Sequence, residues 1–265
     1  MRILVTGATG FIGQSFVQEV QNQQLLCCVR HNTNTLRDDQ KLVLDLNKLD
    51  QFKRAMIQTK DVEDEEKNWT IHNSQRYFIE DSFDFVLHSI GMSVNVRKGR
   101  EYTDQNYDFT IKGFDVSALS FHKVLQSAWK NESMNDYGSI VALSYIAAQK
   151  TFPDYNDMAE NKAYLESIAR SFGYHFGNRN KVRINTISQS PTITTAGSGV
   201  KGFDTFFNYA DKMSPLGNAS AEDCANFCIA LFSDLTKSVT MQNIFHDGGF
   251  SNTGISEDLI KEFTS

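Results

Sequence analysis

Four polar residues that could do chemistry fall close together in the middle of the chain: Ser144, Tyr145, Tyr155 and Lys162. Tyr155 and Lys162 are seven residues apart, nearly two helical turns, so a helix would present both on one face. An ammonium beside a phenol favours the charged form, which predicts a tyrosine able to give up its proton near neutral pH. Tyr174 and Lys181 repeat the spacing, but Gly177 is expected to break the helix between them. A second constellation opens the chain: Gly7-Ala8-Thr9-Gly10-Phe11-Ile12-Gly13. Glycines there let backbone amides approach a pyrophosphate, whose charge then sits at a helix N-terminus.

The elements that must position these groups can be read from periodicity. Arg2 to Thr6 is a short apolar run ahead of the glycines, and Phe11 to Val20 has helical spacing. Further strands are expected at Gln24–Arg30, Lys41–Leu44, Phe83–His88, Ser139–Leu143, Val182–Ile187 and Gln242–Phe245. Helices are expected at Asn106–Trp129, Tyr155–Phe176 and Ala221–Ser233. Strands alternating with helices predict an α/β fold, a single doubly wound Rossmann-like domain with a mostly parallel seven-stranded sheet. Ligands of such sheets bind beyond the carboxyl ends of the strands. Pro153 and Pro191 fall just there, the first ahead of the Tyr155 helix and the second after the Val182–Ile187 strand. Arg30 ends the second strand, where an arginine favours a 2′-phosphate, so the dinucleotide leans towards NADP.

Composition bounds the rest. The chain has 265 residues, 40% of them apolar, and a net charge of −6 from 32 acidic and 26 basic residues. A globular enzyme fits, and a duplex-nucleic-acid module, normally basic, does not. No apolar stretch reaches the roughly 18 residues of a membrane span, and a start that enters a strand at once leaves no room for a signal peptide. Cys27, Cys28, Cys224 and Cys228 form neither a zinc pattern nor a disulfide framework, and the six histidines are scattered. The expectation is a reduced, cytoplasmic protein without a metal. Residues 59–82 are polar, with seven charges among the eight residues 60–67, and read as a solvated helix end and loop.

From Phe83 to about Ser256 the chain closely resembles the enoyl-acyl-carrier-protein reductases of type II fatty acid synthesis, within the short-chain dehydrogenase/reductase superfamily. It is most like the Bacteroidetes members. The resemblance rests on His88-Ser89-Ile90-Gly91, Ala142-Leu143-Ser144-Tyr145, Pro153-Asp154-Tyr155-Asn156 through Lys162, Ser190-Pro191-Thr192 with Thr194-Thr195-Ala196, Ser198 to Phe203, and His246-Asp247-Gly248-Gly249-Phe250. It implies that Tyr155 hydrogen-bonds a thioester carbonyl and stabilises the enolate formed once hydride reaches the β-carbon. It further implies that Lys162 holds the nicotinamide ribose, and that Tyr145 positions substrate or relays a proton. Ser89, Ile90 and Gly91 would lie beneath the cofactor, and Pro191, Thr192 and Thr194 over its carboxamide. Asp45 and Leu46 would sit near the adenine. Met92, Met158, Ala196, Phe203 and Phe206 would line an acyl pocket with the two tyrosines. The family favours NAD, takes its substrate from acyl carrier protein, and is usually a homotetramer packed through the long helices.

The opening differs. TGATGFIG resembles the extended branch of the superfamily, so the chain divides into a cofactor-binding half at 1–82 with a junction near 59–82, a catalytic half at 83–256 and a tail at 257–265. Two other readings follow. An extended-branch epimerase or reductase needs tyrosine and lysine four apart, and none of the nine tyrosines has such a lysine. A non-catalytic dinucleotide sensor would keep the fold without turnover.

Overall fold

The computed structural model describes residues 3–7, 10–22, 27–30, 43–44, 82–192 and 203–264. Seven strands form one sheet in the order β3-β2-β1-β4-β5-β6-β7. They are β1 (Ile3–Thr6), β2 (Cys27–Arg30), β3 (Val43–Leu44), β4 (Phe83–His88), β5 (Met134–Ser144), β6 (Arg183–Gln189) and β7 (Asn243–His246). All neighbours pair in parallel except β2 with β3. The doubly wound, mostly parallel sheet expected from the alternation is therefore present. The order reverses at β1, so the crevice between the ends of β1 and β4 is the place where such folds receive ligands.

The two faces of the sheet bury different sets. On one, α1 (Phe11–Asn22) and α7 (Ala221–Phe232) cover Ile3, Val5, Leu87, Val141, Leu143 and Ile187. On the other, α4 (Ser120–Lys130) and α5 (Met158–Asn180) cover Leu4, Val86, Ile140, Ala142 and Ile184. Adjacent residues of β1, of β4 beyond Phe85 and of the second half of β5 go to opposite faces, the period of two that a pleated strand imposes. Both faces are apolar, which is why these strands read as continuous hydrophobic runs rather than alternating ones.

Two helices depart from the sequence expectation. The stretch expected as one helix at Asn106–Trp129 is α3 (Tyr107–Phe114), a π-helical turn (Asp115–Leu119) and then α4. Side-chain demands hold the wider turn. Ser117 Oγ donates to Met92 O and accepts from Met92 N, both at 2.8 Å, while Ser120 Oγ donates to Val116 O at 2.6 Å. Single π turns of this kind recur at functional sites. The second helix begins at Met158, not Tyr155, and runs through Gly177 to Asn180, where Lys181 takes a left-handed conformation (φ 60°). Gly177 thus does not break it. What removes Tyr174 and Lys181 from contention is Lys181 leaving the helix. A short helix α2 (Val94–Arg97), α6 (Phe203–Met213) and α8 (Glu257–Thr264) complete the described elements.

Candidate active site

The crevice is built on a close approach of two backbones. Gly7 has φ +78°, and a Cβ there would stand 2.0 Å from Ser89 O. Only glycine fits where β1 ends against the turn after β4, and Ser89 N donates to Thr6 O at 3.0 Å to hold that contact. Gly10 N donates to Gly7 O, α1 starts at Phe11, and Gly13 is buried. No acidic residue occupies the first turn of α1. Its positive end therefore carries no competing carboxylate, and the cradle fits a dinucleotide pyrophosphate. Ile12 is half-buried beside this turn. Of Phe11 and Arg30 only the backbone is described, and Asp45 and Leu46 lie outside the described residues.

Beyond β4 the chain passes through Ser89, Ile90 and Gly91 directly towards the lysine. A Cβ on Gly91 would meet Met158 Cε at 2.7 Å and Lys162 Nζ at 3.5 Å. Lys162 is buried, and its Nζ donates to Leu143 O at 2.7 Å on the neighbouring strand. Burial lowers its pKa to about 8, against the pull of Glu166 one turn along the helix. Both oxygens of Glu166 are engaged, accepting from Ser144 Oγ at 2.6 Å and Gln149 Nε2 at 3.2 Å. Spacing of four from Lys162 is the one signal that could have found this carboxylate in the sequence. His88, at the end of β4, is fully buried and kept neutral, its pKa lowered to about 3 by burial and by Lys162. Ser120 has its hydrogen on Val116 O, so His88 Nε2, 2.9 Å from Ser120 Oγ, must be the donor.

The tyrosines lie in an aromatic pocket. Tyr145 and Tyr155 rings are 4.8 Å apart and tilted by 43°, packed with Phe152, Phe206, Ala210, Met213 and Phe250. Tyr155 belongs to a 3₁₀ turn (Pro153–Tyr155) ahead of α5, and Asn156 breaks the chain direction with φ 49° and ψ −141°. The seven-residue spacing from Lys162 is therefore not a shared helix face, contrary to the sequence expectation. The expectation of a readily ionised phenol is also corrected. Burial pushes the Tyr155 pKa well above its ordinary value, and burial, Tyr155 and Asp247 do the same to Tyr145. Lys162 turns to Leu143 O, so it does not offset this desolvation. Both phenols stay protonated, and the buried Tyr145 hydroxyl finds no hydrogen-bond partner among the described residues. The site thus offers two phenolic donors, and that of Tyr145 has nothing among the described residues to donate to.

The remaining expected residues sort plainly. Met92, Met158 and Phe206 are half-buried, and Phe206 packs against the tyrosine cluster. Pro191 is buried, and Thr192 Oγ1 donates to Ser190 O at 3.0 Å. Thr194 and Ala196 lie outside the described residues, and of Phe203 only the backbone is described. Cys224 and Cys228 are buried free thiols in the α7 core. Among the described residues no group of three His, Cys, Asp or Glu could hold a metal ion, and no helix is long and apolar enough to cross a membrane.

Comparison with known proteins bears on this arrangement. The chain matches the family described as "Enoyl-(Acyl carrier protein) reductase" over residues 12–251. NADH-dependent enoyl-acyl-carrier-protein reductase 1 of Rhizobium meliloti is 35% identical over 173 residues, covering 65% of this chain and 62% of that protein. The corresponding FabI of Rickettsia typhi is 34% identical over 180 residues, 67% of each. The match thus spans about two thirds of the length of these curated relatives. Among solved structures, the FabI–NADH complex of Alistipes finegoldii superposes with a TM-score of 0.83 at 45% identity, over 96% of this chain and 89% of its own. The Aquifex aeolicus reductase superposes at 0.77 with 24% identity, a likeness of fold.

Proposed function

Because the chain belongs to the enoyl-acyl-carrier-protein reductase family, we propose that it reduces the double bond of a trans-2-enoyl thioester carried on acyl carrier protein. The observation that carries this reading is the convergence, beyond the ends of β4 and β5, of a glycine cradle, a buried lysine and two protonated phenols, of which the Tyr145 hydroxyl has no acceptor among the described residues. When bound, a nicotinamide dinucleotide supplies the hydride. Gly7, Gly10 and Gly13 with the α1 N-terminus would receive its pyrophosphate, and Ser89 to Gly91 with Lys162 its nicotinamide ribose. Arg30, Asp45 and Leu46 would flank the adenosine end, and Pro191, Thr192 and Thr194 the carboxamide. NADH is the preferred form in this reading: both curated relatives and the Alistipes complex carry NADH in their names, and none supports the lean towards NADP.

In this mechanism Tyr155 donates a hydrogen bond to the thioester oxygen as negative charge develops there. A phenol held protonated suits that role better than an ionised one, since a phenolate would repel the enolate. The aromatic walls exclude water and strengthen the bond. Tyr145, its ring packed at a tilt against Tyr155, orients it and presents a second donor. Lys162 keeps its place through Leu143 O and stays cationic below about pH 8. Met92, Met158 and Phe206 would form the apolar wall for the acyl chain, the role expected also of Ala196 and Phe203. Exposed Tyr107, Ile111, Tyr164 and Tyr174 on α3 and α5 support self-assembly through these helices into a homotetramer.

The test follows absorbance at 340 nm with a crotonyl or longer enoyl thioester, with NADH and NADPH offered in parallel. Consumption of NADH in preference is expected. Cofactor binding without turnover would overturn the enzyme and support the sensor, and preference for NADPH would restore Arg30 as a phosphate ligand.

A further inference from the structure

The strained residue in the site does not touch the reaction. Asn156 follows Tyr155 with φ 49° and ψ −141°, a conformation that costs a non-glycine residue energy and persists only when its surroundings enforce it. Its own side chain does part of that work. Oδ1 accepts from Asp157 N at 2.7 Å, and Nδ2 donates to Arg100 O at 2.8 Å. Asp157 does the rest. It is 1% exposed, and its carboxylate accepts from Ser93 Oγ at 2.5 Å and from Asn95 Nδ2 at 3.2 Å. Asn95 is itself held on both sides, accepting from Asn106 N and donating to Thr110 Oγ1. Ser93 also caps α2 by accepting from Val96 N. No lysine or arginine lies within salt-bridge distance of Asp157 among the described residues. Hydrogen bonds alone therefore satisfy this buried carboxylate.

These bonds join two segments that must agree in position. One is the turn after β4, Ser89 to Ser93, which the π turn also grips through Ser117 and Met92. The other is the start of α5, which carries Tyr155 on one side of the strained residue and Met158 and Lys162 on the other. We propose that Asn156 and Asp157 are positioning residues that latch the start of α5 to the turn after β4, and so fix the Tyr155 hydroxyl relative to Lys162 and the acyl pocket. The latch rests on the reductase reading above. It acts by geometry: a donor displaced by about 1 Å from a developing oxyanion loses most of its effect, with rate costs reaching about 10²-fold.

The experiment measures kcat, both KM values and the NADH Kd for wild type, Asp157→Ala, Asp157→Asn and Asn156→Gly, with the folded fraction set by circular dichroism. Asp157→Ala and Asn156→Gly should lower kcat about 10- to 100-fold while NADH Kd stays within about twofold, the pattern of a lost transition-state interaction. Asp157→Asn keeps the volume and one acceptor, so it folds even where alanine does not and should fall between. Adding Ser93→Ala to Asp157→Ala should cost less than about twofold more, because one latch is broken once. Asn156→Gly separates strain from purpose. Glycine adopts the same φ freely, so thermal stability holds while kcat falls. An active wild type whose variants keep kcat per folded molecule and lose only thermal stability would overturn the latch and leave the reductase standing. A wild type that binds NADH and reduces no enoyl thioester overturns the reductase, and the latch with it.

Discussion

The two faces of the sheet treat buried polar groups in opposite ways. On the α1–α7 face, Arg183 and Ser139 point into the apolar layer, and both end on carbonyls at the C-terminus of α7 or in the 3₁₀ turn that follows it. Arg183 donates to Leu231 O, Phe232 O, Ser233 O and Thr236 O, and Ser139 donates to Leu231 O. These bonds help satisfy the carbonyls that the end of α7 and the turn after it leave open. On the α4–α5 face the polar groups cluster towards one end of the strands, and some stay open: His88 Nδ1 and, beyond the strand end, the Tyr145 hydroxyl have no partner among the described residues. Lys162 is a buried cation whose neighbouring carboxylate serves other donors. One face uses polarity to finish the fold, and the other holds unsatisfied polarity at a cost in stability, where a cofactor and substrate can satisfy it.

That contrast predicts which substitutions remove function and which remove stability. The largest effect belongs to the crevice itself. Gly7→Ala puts a methyl group 2.0 Å from Ser89 O at a φ of +78°, so the turn after β4 must move. NADH titration by fluorescence should show no saturable binding, and binding near the wild-type Kd would mean the cradle is not where the dinucleotide sits. Next comes Tyr155→Phe, which removes the hydroxyl and leaves the ring on Tyr145. Turnover should fall about 10²-fold, the usual scale for an oxyanion donor, with the melting temperature nearly unchanged. A rate within a few-fold of wild type would break the assignment of Tyr155.

The other face should answer in the reverse sense. Arg183→Met removes the guanidinium bonds to four carbonyls at the end of α7 and in the turn after it, a loss of about 2 kcal/mol in urea unfolding. Activity per folded molecule should be unchanged, since no Arg183 contact reaches the tyrosine pocket. If kcat fell with stability, the two faces would not be separable and the comparison would fail.

How far the sequence shows this division depends on the range over which it acts. The glycine cradle is readable because one steric fact, a backbone approach no Cβ survives, dictates the residue type locally. Tyr155 and Lys162 are readable as a pair, yet the geometry behind them is not. The helix-face argument misses the reversal at Asn156, where an asparagine pinned by Arg100 O does what a glycine would announce. The π turn at Asp115–Leu119 is silent for the same reason: its residues suit an ordinary helix, and only contacts with Met92 and His88 distinguish it. Asp157 meets Ser93 across 64 residues, so no local pattern marks it as more than a helix-start acid. The first half of β5 was missed because Asp136 and Gly138 look like a turn. There Tyr137 takes φ 63° and the pairing with β4 slips between Phe83 and Phe85.

The smallest effect is the one that tests the open face without mutating the phenols. Lys162 has its pKa lowered from 10.5 to about 8 by burial. If its charge helps hold the cofactor, kcat/KM for NADH should be level below about pH 8 and fall towards tenfold per unit above it. Neither tyrosine adds a limb in that range, because burial raises both. The stability slope has the opposite sign. A lysine depressed in the folded state loses its proton there first, so between about pH 8 and 10.5 the unfolded chain binds more protons, and this group makes the fold more stable as pH rises. Below pH 8 its burial cost is fully present. The melting temperature of wild type should therefore gain on that of Lys162→Met between pH 7 and pH 10, while wild-type turnover declines over the same interval. A rate that holds to pH 10, or a melting difference that does not change with pH, would show that Lys162 is not the buried cation on which the contrast between the two faces depends.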